Sequence, residues 1–469
     1  MQRWCHLLAV PDQPACSVCN MATAASGACG ETVPEDDAAR SAPEPLPAPG
    51  SYFAVVVGAG LSGAVMARQL AEATGQRVLV VDKRDHIAGN VHDFVEPTTG
   101  LRVSTFGAHL FHTEDAGVWE YIQPFAKWVR WDHRVVTRVP AASVGGGSSS
   151  SAGCAGSEGS SNTNGEGAPP PLPVRAADDI TVPVPANINT VNALFGTALS
   201  SPAEMDAWMA REREGEEAAA TNSEEVALAR VGRRLYAALF RDYTVKQWAK
   251  APAELDAMVL KRIPVRHSFD DRYFTDRFQA LPAGGYTAFV AALLDHPLVT
   301  VRLGTNFLDH RAALTAAATT HLVYTGPIDA YFAAAGLPPL EYRSIAFHTA
   351  VLPDCAGYFQ ENSVVNYAGA GTPFTRTIEY KHFLRQSSPG TIIVSETTCD
   401  NGEPFYPVPT RRNMALYESY RALAAADEAS PSASTPRVTF VGRLATYKYI
   451  NMDQAIRLAL DAAARLLAA

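Results

Sequence analysis

The stretch that most restricts the fold is YFAVVVGAGLSGAVMARQLAEATGQRVLVVDK, residues 52–83. An apolar, β-branched run, Ala54–Val57, stops at Gly58, and a helical pattern begins at once. Gly75 closes that helix and Val78–Val81 makes a second apolar strand, so the segment predicts a β-α-β unit. Gly58, Gly60 and Gly63 form G-x-G-x-x-G between strand and helix. Their spacing gives a tight turn, a backbone close to a pyrophosphate, and close helix–strand packing. The helix start adds N–H donors and positive partial charge. Asp82, at the end of the second strand, places a carboxylate on adenosine ribose hydroxyls. The unit is read as a dinucleotide site.

Two further features favour FAD over NAD. Past Asp82 comes KRDHIAGN, in which Lys83, Gly89 and Asn90 extend the binding turn beyond the ribose carboxylate. The last segment, RVTFVGRLATYKYINMDQAIRLALDAAARLLAA, reads as a strand over Val438–Val441, a Gly442–Arg443 turn and a helix starting near Asn451–Asp453. Ile456, Leu460 and Ala463 share one face of that helix. Its N-terminus, with Met452 and Asp453, would meet the flavin pyrimidine edge, where a helix dipole favours negative charge. The alternative is a helix that only packs.

A net charge of −9 argues against a nucleic-acid partner. The cysteines, seven in all, have no framework spacing, which fits reduced thiols. Cys16 and Cys19 form a C-x-x-C without a second pair, so no metal site is expected. No apolar run is long enough to span a bilayer, and LLAV before Pro11 is too short for a signal core. The expectation is a cytoplasmic protein that does not enter membranes. Residues 1–50, 141–178 and 424–436 are too poor in apolar surface to order, and are read as a tail, an insert and a surface loop. Helices are predicted over 202–216 and 221–248, the second with a capping box from Thr221 to Glu224 and a buried stripe of Leu228, Val231, Leu235 and Leu239. Pieces at 128–140, 179–185 and 344–399 alternate like strands.

FGAHLFHT, residues 106–113, holds His109 and His112. A metal pair, a structural role and contact with a flat cofactor are the alternatives. No third ligand is nearby, which disfavours metal.

VGAGLSGAVMA, DKRDHIAGN, FGAHLFHT, YTVKQW, LKRIPVR, RYFTDRFQALPAGGYT, YTGPIDAYF, LEYRS, TRTIEYKHF, EPFYPV and GRLATYKYINMDQAI follow in this order. Together they resemble the UDP-galactopyranose mutase family of the bacterial type, over most of 51–469. The resemblance implies an α/β fold: a discontinuous Rossmann-like FAD-binding domain (51–127, 276–343, 406–469), an antiparallel β-sheet domain (128–184, 344–405) and an inserted helical domain (185–275) with a mobile lid at about 252–265. It implies interconversion of UDP-galactopyranose and UDP-galactofuranose with no net redox change, supplying galactofuranose for glycoconjugates. In that family the N5 of reduced FAD attacks the anomeric carbon and UDP leaves, and the sugar reopens as an iminium. An external reductant such as NAD(P)H and a homodimer are also implied.

The resemblance assigns residues as well. Tyr243 would stack on uracil beside Thr244, and Trp248 would line the sugar pocket. Arg262 and Arg376 match two family arginines that clamp the diphosphate, a role suited to a guanidinium fork. Pro264 disfavours helix at Ile263, so Arg262 is placed at a helix end or loop within the lid. Tyr273, Tyr406 and Tyr449 resemble phosphate-binding phenols, and Asn366 an asparagine near UDP. His109 would lie by the flavin and His112 on the substrate side. The chain departs from the family string Y-K-Y-x-D-M-H by Asn451 and Asp453, and Phe405 stands where tyrosine is common. A redox flavoenzyme of the amine oxidase or protoporphyrinogen oxidase type is the alternative, since it shares the glycine turn and terminal helix. A UDP-sugar-binding or FAD-binding protein without catalysis is the third reading.

Overall fold

The computed structural model describes residues 45–144, 177–261, 265–400, 402–429 and 436–468. Residues 1–44 of the N-terminal tail, most of the 141–178 insert and Arg262 therefore lie outside the described residues. The glycine-turn unit forms as its sequence predicts: strand Tyr52–Val57, helix Leu61–Thr74 and strand Val78–Val81, with Gly75 in the left-handed conformation at φ 66° after the helix. These strands sit inside a five-stranded sheet in the order Val299–Arg302, Val78–Val81, Tyr52–Val57, Ala318–Tyr324, Arg437–Phe440, and every neighbouring pair is parallel. An all-parallel sheet must be covered on both faces, which is why its strands read as unbroken apolar runs. Ala54 and Val56 point into one core, with Val65, Phe289, Val290, Ile456 and Ala463. Val55, Leu79 and Val81 point into the other, with Phe307, Leu314 and Tyr331. The C-terminal helix, Met452–Ala468, packs directly on Leu61–Thr74, so both helix starts meet at one end of the sheet.

A second, seven-stranded sheet runs Tyr406–Pro407, Tyr342–Leu352, Thr391–Cys399, Arg376–Glu379, Val364–Tyr367, Val135–Pro140, Asp179–Val184. Its pairs are antiparallel except Val364–Tyr367 with Val135–Pro140, which is parallel. The expected antiparallel sheet is thus mixed, because Val364–Tyr367, reached only after the helical and parallel-sheet segments, lies beside Val135–Pro140 in the same direction. Trp128–Arg130, expected in this sheet, instead joins Phe278–Pro282, beside Phe111–Thr113. The Trp128 ring is held there by Phe111 at 5.0 Å and Phe289 at 5.2 Å.

The helical portion contains Ile188–Phe195, Pro202–Glu212, Ser223–Leu235 and Arg241–Trp248, with a π-turn over Tyr236–Phe240. Val231, Leu235 and Leu239 are buried there and Leu228 packs against them. The predicted cap is displaced by one residue. Asn222 Oδ1 accepts from Glu225 N at 3.0 Å, while Glu225 Oε2 accepts from Thr221 N at 2.7 Å. Asn222 has the extended backbone of a cap, which frees its short amide to fold back on the helix start. The expected loop at 424–436 begins as helix, since Arg411–Ala429 runs into it; residues 430–435 lie outside the described residues. Tyr417, Tyr420 and Ala424 of that helix are buried with Leu340 and Tyr447, contacts that override its polar composition. Among the described residues no helix is long and apolar enough to cross a membrane, and no acidic, histidine or cysteine cluster could hold a metal ion.

Candidate active site

A cleft of about 380 Å³ opens where the glycine turn, the strand ends and the terminal helix meet. Its floor is bare backbone for a steric reason. A Cβ on Gly58 would lie 2.1 Å from Thr325 Oγ1, and one on Gly63 would lie 1.9 Å from Gly58 O. Lys83, Asn90, His109, Arg443 and Met452 line the cleft, as does Asn451. Asp82 also lines it, but its carboxylate braces the backbone, with Oδ2 accepting from Ala59 N at 2.7 Å and Oδ1 from Arg84 N at 2.9 Å. Asp453 is not on the wall; its Oδ1 is buried in the first helical turn without a protein partner. The sequence reading missed Arg84 and Glu403. Arg84 lies over the Phe106 ring and donates to Asn90 Oδ1, and Glu403 accepts from Lys83 Nζ at 2.7 Å. Glu403 comes from a loop more than three hundred residues away, so no local signal could have found it. A smaller cavity of about 190 Å³, lined by Tyr286, Tyr380, Phe383 and Leu384, shares His109 with the cleft.

Beside these cavities the chain gathers aromatic rings around one guanidinium. Arg376 starts a strand and donates from Nε to Glu396 Oε2 at 2.6 Å. Glu396 is 2% exposed; burial pulls the Arg376 pKa down, but the charge and hydrogen bond of Glu396 together with Tyr406 and Tyr243 outweigh it, so the pKa is raised well above the usual value. Tyr243, Tyr273 and Tyr406 all have phenol pKa values raised by burial, Tyr406 to about 12, and all feel the Arg376 charge. They therefore stay protonated and can donate. The Tyr449 ring lies 5.2 Å from that of Tyr406 and 6.4 Å from that of Trp248, and Arg443 sits 5.7 Å from both tyrosine rings. Thr244 and Trp248 are buried on the helix that carries Tyr243. Asn366 pairs in register with Arg376 across the strand ladder. Glu396 was missed, because TIIVSETT reads only as a strand.

The chain is 34% identical to a probable UDP-galactopyranose mutase of Klebsiella pneumoniae, over 87% of its length and 93% of that protein. It belongs to the UDP-galactopyranose mutase family. A family model described as UDP-galactopyranose mutase matches residues 238–449, and one described as an NAD(P)-binding Rossmann-like domain matches 56–125. A dTDP-fucopyranose mutase of Escherichia coli is 31% identical, over 87% of this chain and 97% of that one. Among solved structures, a reduced UDP-galactopyranose mutase superposes with a TM-score of 0.64 at 14% identity, covering 89% of this chain and 94% of the other. A putative protoporphyrinogen oxidase from Exiguobacterium sp. 255-15 gives 0.56 at 11% identity, over 88% and 98%. That second likeness shows a shared fold, which the sequence had already left common to mutase and oxidase.

The two histidines of FGAHLFHT part company in this mutase-family chain. His109 Nδ1 lies 2.8 Å from Gly107 O. A carbonyl only accepts, so Nδ1 carries the proton and Nε2 is left as an acceptor. Burial pulls His109 down to about 4, so the ring is neutral near pH 7. His112, expected toward the substrate, lines neither cavity. It stacks on Phe274 at 3.7 Å, with Nδ1 3.2 Å from Asp276 Oδ2, because its strand pairs with Phe278–Pro282. The same Phe274 ring meets a residue the sequence reading passed over: His133, buried against Tyr273, Phe274 and Phe383, and pulled down by burial to about 3.

Both depressed values give a sign for pH dependence. Unfolded histidine titrates near ~6.5. Between that value and the folded ones the unfolded chain binds protons that the folded chain does not, so stability rises with pH and falls on acidification. Thermal melts from about pH 7 down to roughly pH 4 should show this fall, and His133→Phe should flatten it. An unchanged slope in the variant would remove His133 from the account.

Proposed function

We propose that the chain interconverts UDP-galactopyranose and UDP-galactofuranose with reduced FAD as its cofactor and no net oxidation of the sugar. The observation that carries this reading is the convergence of Tyr243, Tyr273 and Tyr406 on the Glu396-braced Arg376, beside a cleft floored by Gly58, Gly60 and Gly63. An oxidase needs no such diphosphate and base platform. The cleft suits a dinucleotide, since side chains are excluded from the turn and a helix start faces it. When bound and reduced, FAD supplies an electron-rich nitrogen as the nucleophile toward the anomeric carbon.

The protein's residues do the rest. Breaking the anomeric bond places negative charge on the leaving diphosphate. Arg376 meets that charge with a cation held by Glu396, and the phenols of Tyr273, Tyr406 and Tyr449 donate to it. Tyr243 and Trp248 offer flat faces to uracil and sugar, with Thr244 and Asn366 beside them. His109 presents a neutral acceptor at the cofactor cleft. Arg262, outside the described residues, is read as a lid arginine that closes over the diphosphate and excludes water. Lys83, Asn90, Arg443 and Met452 are read as cofactor contacts. The partition into cofactor, sheet and helical portions expected from sequence fits this division of labour. The reading carries with it a cytoplasmic homodimer kept reduced by a donor such as NAD(P)H.

The test adds UDP-galactofuranose to FAD-loaded, dithionite-reduced protein and follows the pyranose product by chromatography. Absence of product sinks the proposal. The 31% identity to a dTDP-fucopyranose mutase makes dTDP-fucopyranose the competing substrate, and the same assay run with it ranks the two by kcat/KM. Reconstitution with 5-deaza-FAD, which puts carbon at the attacking position, should abolish turnover. Unimpaired conversion there would exclude the flavin nucleophile.

A further inference from the structure

YTVKQW contributes one residue that the proposed chemistry leaves without a role. Lys246 Nζ donates to Tyr367 O at 2.7 Å, Gly369 O at 2.8 Å and Phe374 O at 3.1 Å, and lies 3.4 Å from Thr372 Oγ1. An ammonium has three protons, so the carbonyls alone saturate it. All four oxygens belong to one turn of chain, which joins Val364–Tyr367 to Arg376–Glu379. The turn is closed at its neck by Tyr367 N donating to Thr375 O at 2.9 Å. A tethered cation thus fills the oxygen-lined interior of a hairpin whose strands present Asn366 and Arg376 opposite each other.

The other end of the tether is equally fixed. Lys246 lies one helical turn beyond Tyr243 on Arg241–Trp248. The main chain at this point is held by Thr398 Oγ1 donating to Lys246 O, and by Arg343 Nε donating to Gln247 O. The helix with the flat base platform and the hairpin with the diphosphate arginine come from segments more than a hundred residues apart. Lys246 is the side chain that reaches from the first into the turn of the second.

We propose that Lys246 is a positioning residue that sets the spacing between the base side and the diphosphate side of the site. The inference rests on the UDP reading above. A ligand held at two points gains from the second contact only when the spacing matches, and small misplacements forfeit it. Lys246→Met removes the cation and leaves the oxygens of the turn to water, so the hairpin is free to shift relative to the helix.

The test measures uridine and UDP binding to FAD-loaded wild type and Lys246→Met, together with flavin content and turnover. Uridine, which engages one side only, should bind the variant within about twofold of wild type, whereas UDP should weaken about tenfold or more. Turnover should fall by up to about 10²-fold with flavin fully retained. Equal losses for uridine and UDP would show that the lysine merely supports the helix, and would overturn the proposal. So would loss of flavin in step with UDP affinity, or unchanged UDP binding. If wild type itself binds no UDP, the functional reading falls and takes this proposal with it; if wild type binds UDP and the variant binds it as tightly, only the spacing role falls. Should Lys246→Met not fold, Lys246→Gln, which keeps two donors but no charge, is read by the same criteria.

Discussion

Arg376→Ala in the reduced, FAD-loaded protein should cut turnover by about 10²–10³-fold while the protein keeps its flavin. The size follows from what the guanidinium meets. Charge moves onto a diphosphate in a pocket walled by Tyr243, Tyr273 and Tyr406, where water screens poorly and a fixed cation acts strongly. Lysine should not rescue, because Arg376 is held through Nε by Glu396 Oε2 and an ammonium has no fork with which to face the ligand at the same time. Removing the arginine also strands a buried carboxylate, so rates should be normalised to bound flavin, and Arg376→Ala with Glu396→Gln should recover stability without recovering rate. Near-normal turnover in Arg376→Ala, measured by chromatographic conversion, would show that the diphosphate lies elsewhere.

Gly63→Val should yield protein that binds no FAD. A Cβ at that position would lie 1.9 Å from Gly58 O and 3.0 Å from Gly58 C, both backbone atoms, and 3.3 Å from Val56 Cγ1. Neither the turn nor the strand can yield without displacing the helix start that faces the cleft. Overpacking of this kind costs about 1–3 kcal/mol or more, and here it falls on the cofactor floor itself. Gly75→Ala is the control. Gly75, unlike Gly63, has positive φ, at 66°, but nothing lies within 4 Å of its added Cβ, so the cost is the backbone term alone, about 1–2 kcal/mol, with flavin kept. Absorbance at flavin wavelengths after gel filtration checks both. Yellow Gly63→Val protein would contradict the close packing of strand and helix.

Much of the fold and of the site was legible because the deciding residues are neighbours in sequence. The glycine turn, the parallel strands Tyr52–Val57 and Val78–Val81, and the terminal strand and helix are each written in one contiguous stretch. Arg376, Tyr243, Tyr406 and Tyr449 were legible through the order of short strings, and the structure brings them together. The stacking of His112 on Phe274 was not legible, because it follows from a strand pairing that FGAHLFHT does not reveal. The cap moved from Thr221 to Asn222 because both have suitable side chains and only the backbone direction at the helix entry selects between them.

By itself the sequence determined the periodicities, the bare backbone at Gly58 and Gly63, and the set of side chains able to meet a nucleotide sugar. The tertiary structure alone decided which distant groups share a volume: Glu396 under Arg376, Glu403 on Lys83, Lys246 inside the hairpin of Phe374, and the one parallel junction of the larger sheet. The division has a physical cause. Helix, strand and turn preferences act between residues a few positions apart, whereas the pairing of a buried charge depends on which segments pack together, and that is set by burying the whole apolar surface at once.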